Sequence, residues 1–265
     1  MRIVDTHQHL WDLRRFTLPW TKGAGEPLEK DHLPSDYDAA IKGTGIELAV
    51  YMEVDVAPEQ RRDEAAWACA RGPAVVGGNP ADPGFSAYLD AIAHPNLKGV
   101  RQVLHGGLPA GACRTPDFVR GARELGKRRL RFDLCLRPLE LGDGARLAKE
   151  CPDTRFILDH CGNGDVKATR ADRDKWKRGV EAVAKQPNTI CKISGIIVSA
   201  KGRPWSAEDL APLVDHCLDT FGFDRVVFGS DWPVCTLTAP LAEWVTALEQ
   251  ITSRRTESER ARLFH

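Results

Sequence analysis

Ile3-Val4-Asp5-Thr6-His7-Gln8-His9 opens the chain with a short apolar run that ends in two histidines one residue apart. Side chains alternate across a strand, so Asp5, His7 and His9 share one face. Two imidazoles spaced this way converge on one point, which suits a divalent ion or a carbonyl oxygen. The plainer reading makes one histidine a strand cap and leaves the other exposed in a loop. Convergence is favoured because the same pattern, an apolar run closed by a polar residue, recurs along the chain.

Eight such runs are legible: Arg2 to His7, Ile46 to Glu53, Ala74 to Gly78, Gly99 to Leu104, Leu130 to Leu136, Arg155 to His160, Thr189 to Ser194 and Arg225 to Ser230. Amphipathic segments fit between and after them, at Ser35 to Lys42, Pro58 to Arg71, Phe85 to Ala93, Thr115 to Lys127, Leu139 to Glu150, Asp172 to Lys185, Trp205 to Phe221 and Ala239 to Ile251. Several begin with a capping or first-turn residue such as Thr115-Pro116 or Ser206, and several end at glycine, as at Gly43, Gly72 and Gly222. Strands alternating with helices imply an α/β fold with a parallel sheet. Eight of each favour a closed (β/α)8 TIM barrel over an open sheet. The 265 residues sit near the ~250 typical of that barrel, so one domain, 1–265, is expected. Its first βα connection, about 10–34, is long and carries Trp11, Pro19, Trp20 and Pro27. It is expected to be a lid or substrate wall.

With 42% hydrophobic residues the chain can bury a full core, and 37 basic residues balance 37 acidic ones. No global field recruits nucleic acid or a lipid surface. The eight cysteines form no CxxC pair, no signal-like segment precedes the first strand, and no apolar run approaches the roughly 20 residues of a spanning helix. A soluble cytoplasmic protein with reduced thiols is expected. Gly77-Gly78 and Gly162-Asn163-Gly164 make neither a dinucleotide nor a phosphate-loop fingerprint.

Chemistry in such a barrel sits at the carboxyl ends of the strands. The residues there are polar: His7 and His9, Glu53 and Asp55, Asn79, His105, Arg137, His160, Ser194 and Asp231. In Val226-Val227-Phe228-Gly229-Ser230-Asp231-Trp232-Pro233, Asp231 follows an apolar strand and a Gly-Ser pair, which sets a carboxylate at the barrel mouth. There it can take a proton from water. Its bland role is to cap the turn before Pro233.

The DTHQH strand, this aspartate and FILDHCG at 156–162 resemble the amidohydrolase superfamily, amidohydrolase-2 type, over almost the whole chain. GVRQVLH at 99–105, KISG at 192–195 and FGSDWPV at 228–234 resemble its lactonase branch, which includes L-fuconolactonase-like and pyrone-dicarboxylate-lactonase-like proteins. The resemblance implies an amidohydrolase-like barrel that hydrolyses a sugar-acid or related lactone. It makes Asp231 the general base and carries the HxH pair onto His7 and His9 and the strand-six histidine onto His160. Metal, if bound, is expected at His7, His9, His160 and Asp231 as one divalent ion, zinc first. The fifth run offers Asp133, Cys135 and Arg137 but no histidine, and Lys98 lies at the start of the fourth, so a two-metal centre is not expected.

On the substrate side, Arg101 aimed into a barrel needs an anionic or oxygen-rich partner, either substrate or an internal carboxylate such as Glu53 or Asp5. Tyr51, Glu53 and Asp55 share a face by alternation, which lets Glu53 bond a substrate hydroxyl or pair with Arg101. His105 beside Gly106-Gly107 is placed to donate to the lactone oxygen. Trp232 and Trp11, with Trp20 and Trp205, are expected on the rim, where indoles suit sugar-like rings or serve as packing anchors. The expected partner is a small lactone or sugar acid, with no nucleic acid or membrane and with a homo-oligomer allowed. Two readings compete with ring-opening hydrolysis: a mononuclear metal-dependent decarboxylase, for which a strand-five histidine is expected, and a non-catalytic sugar-acid-binding barrel. The chain ends at Leu263-Phe264-His265 inside what reads as a helix, which leaves room for a truncated terminus and a loosely held last helix.

Overall fold

The computed structural model describes residues 2–265. Its eight strands are β1 Ile3–Gln8, β2 Ile46–Met52, β3 Ala74–Gly77, β4 Leu97–Val103, β5 Arg131–Cys135, β6 Arg155–Leu158, β7 Thr189–Ile193 and β8 Val226–Phe228. They pair in parallel and in sequence order, so each apolar run expected to be a strand is one. Beyond the end of β8 the sheet is drawn back to β1. The Asp231 N–H donates to His7 O at 2.9 Å and the His9 N–H to Trp232 O at 2.8 Å. Asp5 fastens the same seam by accepting from the Ser230 N–H at 2.8 Å, the Ser230 hydroxyl at 2.5 Å and the Tyr37 hydroxyl at 2.7 Å. The result is a (β/α)8 barrel.

Helices fill the outer layer: α1 Pro34–Ala40, α2 Arg61–Cys69, α3 Phe85–Ala91, α4 Pro116–Lys127, α5 Leu141–Glu150, α6 Arg170–Ala184, α7 Ala207–Phe221, α8 Leu241–Ile251 and α9 Glu257–Phe264. Their starts follow capping chemistry. Thr115 accepts from the Phe118 N–H with Pro116 at the first position, Thr169 accepts from the Asp172 N–H, and Ser206 with Asp209 forms a capping box. The last helix is not loose. Thr256 and Glu259 cap it reciprocally, and Leu263 and Phe264 are buried, the Phe264 ring lying 5.6 Å from Phe228 of β8.

Between β6 and α6 the chain makes a turn that periodicity does not anticipate. His160, Cys161, Gly162 and Asn163 all have positive φ, between 52° and 65°. A run of left-handed residues is costly for L-amino acids and persists only where its surroundings hold it. Among the described residues all eight cysteines are free and buried, and no helix is long and apolar enough to cross a membrane.

Candidate active site

The carboxyl ends of β1, β6 and β8 bring His7, His9, His160 and Asp231 to one place. His7 Nε2 lies 3.1 Å from His9 Nε2 and 3.6 Å from Asp231 Oδ1. His9 Nε2 is 3.3 Å and His160 Nε2 4.0 Å from the same oxygen. The outer ring nitrogens are held from behind, His9 Nδ1 by the Met52 carbonyl at 3.1 Å and His160 Nδ1 by the Ser194 hydroxyl at 2.9 Å. Because a carbonyl only accepts, His9 Nδ1 donates its proton to Met52, which leaves Nε2 turned toward the cluster.

His7 Nε2, His9 Nε2 and Asp231 Oδ1 crowd together from three directions, a grouping of metal-ligand atoms with room for a cation among them. Zinc bonds of about 2.0–2.2 Å put tetrahedral ligands roughly 3.4 Å apart, so the donor set fits one divalent ion. Burial, and then the Lys192 ammonium, holds His7 well below the usual imidazole value, and burial lowers His160 as well. Burial alone would raise the Asp231 carboxyl. His160 and His9 outweigh it and keep the carboxyl below its usual value, hence ionised.

Beneath the cluster lies a charged floor that sequence reasoning left without a role. Lys192, near the carboxyl end of β7, sits 2.7 Å from Asp133 Oδ2, 3.2 Å from Asp159 Oδ1 and 3.3 Å from His7 Nδ1. All of these groups are buried. Burial pushes Asp159 up, but Lys192 and then His7 overcome it and hold this carboxyl well below its usual value. A lysine inside an apolar strand must meet a carboxylate. Lys192 in Thr189 to Ser194 and Asp133 in Leu130 to Leu136 were therefore visible as partners in the sequence, as was Asp159 directly before His160.

Arg101 does face the interior, where the internal partner engages it. Its Nε meets Glu53 Oε1 at 2.5 Å and its Nη2 the Glu53 carbonyl at 2.9 Å, while Nη1 stays 3.3 Å from His7 Nε2 and 3.7 Å from Asp159 Oδ2. Glu53 is thus the arginine's counter-ion. The shared face of Tyr51, Glu53 and Asp55 does not hold. β2 ends at Met52, and the Tyr51 hydroxyl turns to Glu64 on α2 at 3.0 Å.

A cavity of about 770 Å³ opens above the cluster, with His9, Arg101, His160 and Asp231 at its floor. His105 stands exposed on its rim, while Trp20, Asp55, Arg61 and Asn163 line its walls. Two rim tryptophans are placed elsewhere. Trp11 is fully buried, its Nε1 bonded to the Lys30 carbonyl at 2.7 Å, and Trp232 packs its ring on His32 and Tyr37. They anchor the first loop, which reaches the cavity through Pro19 and Trp20.

This barrel carries a buried histidine and aspartate cluster at its strand ends, of a kind able to hold a metal ion. The chain belongs to the amidohydrolase family, matching it over residues 4–265. It is 29% identical over 279 residues to the L-fucono-1,5-lactonase of Burkholderia multivorans, covering 98% of this chain and 92% of that one. A crystal structure of an amidohydrolase from B. multivorans with bound zinc superposes with TM-score 0.88 at 23% identity, covering 100% and 96% of the two chains. A probable 2-pyrone-4,6-dicarboxylic acid hydrolase from Acinetobacter baumannii, with citric acid bound, gives 0.78 at 16% identity, covering 100% and 97%. Below 25% identity, these two structures speak to the fold alone.

Proposed function

We propose that the protein opens the ring of a sugar-acid or related lactone by hydrolysis. The observation that carries this reading is the convergence of His7, His9 and His160 on an ionised Asp231 at the floor of a substrate-sized cavity. Likeness to an L-fucono-1,5-lactonase supports the choice of a cyclic ester.

Asp231 takes a proton from the attacking water as the new C–O bond forms at the lactone carbonyl, and Arg101 Nη1 flanks the developing negative oxygen. Collapse of the tetrahedral carbon breaks the bond to the ring oxygen, which leaves as an alcohol with the proton Asp231 returns. His7, His9, His160 and Asp231 would hold one divalent ion, zinc by ligand type, which when bound supplies Lewis-acid polarisation of the carbonyl. His105 at the rim is placed to bond the ring side of the lactone. Lys192 and Asp159 keep His7 in position from below.

The test is a pH-stat assay on five- and six-membered aldonolactones, with metal content measured on the same preparation. Ring opening at enzymatic rates supports the reading. Carbon dioxide release from an aromatic acid would replace it with decarboxylation, and saturable binding without acid production with a carrier role.

A further inference from the structure

Among the described residues six non-glycine positions have positive φ, and one is Asp55, at 47°. Two of the others are His160 and Asp231, Cys161 and Asn163 continue the His160 turn, and only Arg129 precedes a strand instead of following one. Asp55 thus shares its backbone geometry with the two residues given chemical roles above, at the same end of the barrel. Outliers of this kind persist where the surroundings over-determine them. Here the Asp55 N–H donates to Glu53 Oε2 at 2.6 Å, and the other oxygen of Glu53 holds Arg101. The Asp55 carboxylate itself lines the cavity and makes no hydrogen bond or ion pair among the described residues. Arg61, at the start of α2, lines the same cavity with its guanidinium equally unengaged. The Trp20 indole stands beside them, its Nε1 bonded to the Val54 carbonyl at 2.7 Å.

We propose that Asp55, Arg61 and Trp20 form the subsite that reads substrate hydroxyls, with Asp55 as the specificity-determining acceptor. This rests on the lactonase reading above and deepens it. An acceptor-only carboxylate, a donor-only guanidinium and an indole surface together match a ring that carries hydroxyls and C–H faces. The cavity's two cations, Arg61 and Arg101, share it with the Asp55 and Asp231 carboxylates, and Arg101 also carries Glu53, so no net positive charge is left for the two carboxylates of a dicarboxylated lactone. The subsite therefore selects a neutral, hydroxyl-rich lactone.

The test compares hydroxylated six-membered aldonolactones with δ-valerolactone, which has the same ring and no hydroxyls, in wild type, Asp55→Ala, Asp55→Asn and Arg61→Gln. Asparagine tolerates positive φ, so Asp55→Asn keeps the backbone while halving the acceptor capacity. The ratio of kcat/KM for the hydroxylated over the plain lactone should fall about 10–100-fold in Asp55→Ala, chiefly through KM, and less in Asp55→Asn. Equal losses on both lactones, or none, overturn the proposal, and so does faster opening of a dicarboxylated lactone by wild type. Calorimetric binding of the same lactones to Asp231→Asn, with and without Asp55→Ala, provides a second readout. If wild type opens no lactone, the reading of its activity falls. Selective loss of hydroxylated-ligand binding would then still uphold the subsite, and absence of any binding would overturn it.

Discussion

Asp231 is fixed by its backbone as well as by its histidines, since its N–H closes the barrel onto His7. Asp231→Asn keeps that bond and removes the proposed base, so kcat should fall about 10²–10⁴-fold while the melting temperature moves by only a few degrees; kinetics and calorimetry on one sample check both. Gly195 shows how tightly the site is packed. Its φ is 61°, and an added Cβ would lie 2.7 Å from His160 Cγ and 3.0 Å from Asp231 Oδ2. Gly195→Ala should therefore lower activity by displacing His160 and cost about 1–3 kcal/mol, measured by urea unfolding. Glu64 gives a pH signature. Burial first, and then the Glu53 charge, pushes its carboxyl up to about 8. Folded Glu64 thus keeps a proton that the unfolded chain has released above about 4.5, so its contribution is full below that pH and is lost as pH rises towards 8. The loss is up to about 1.4 kcal/mol per pH unit. Glu64→Gln should flatten that decline, seen as a melting-temperature gain larger at pH 8 than at pH 5.

Strands and helices were largely readable because each strand's apolar run ends in a polar residue and most helix starts carry caps. His7 and His9 were readable from the alternation of β1, and Asp231 as the polar group that closes the last apolar run, although it lies past the end of β8 on a left-handed backbone. What escaped is what alternation does not encode. The left-handed turn at His160 to Asn163 has no period, Trp11 and Trp232 turn inward on two loops whose paths depend on tertiary packing, and Tyr51 and Glu53 part where β2 ends. Lys192 and Asp133 could be read as a buried pair, but the floor they make with Asp159 under His7 needs β5, β6 and β7 together. Packing between elements yields a further prediction. α4 lies against the Pro80 carbonyl with only a hydrogen at Gly121, since an added Cβ would stand 2.7 Å from the Pro80 carbonyl carbon. Gly121→Ala should destabilise by about 1–3 kcal/mol or more in urea with its loss confined to stability, since α4 contributes no side chain to the cavity.

For the molecule as a whole, a divalent ion shared by β1, β6 and β8 would bind only the closed barrel and would stabilise it by mass action. Chelation should lower the melting temperature, and added zinc should restore it, in calorimetry on the chelated and reloaded protein. The seam between β1 and β8 has a further consequence. Its two backbone bonds belong to His9 and Asp231, the residues that meet in the cluster, so any breathing of the barrel at this seam pulls the cluster apart. Deuterium uptake at those two amides would then report how often the enzyme is momentarily unassembled, and an occupant of the cavity that draws the pair together should slow it.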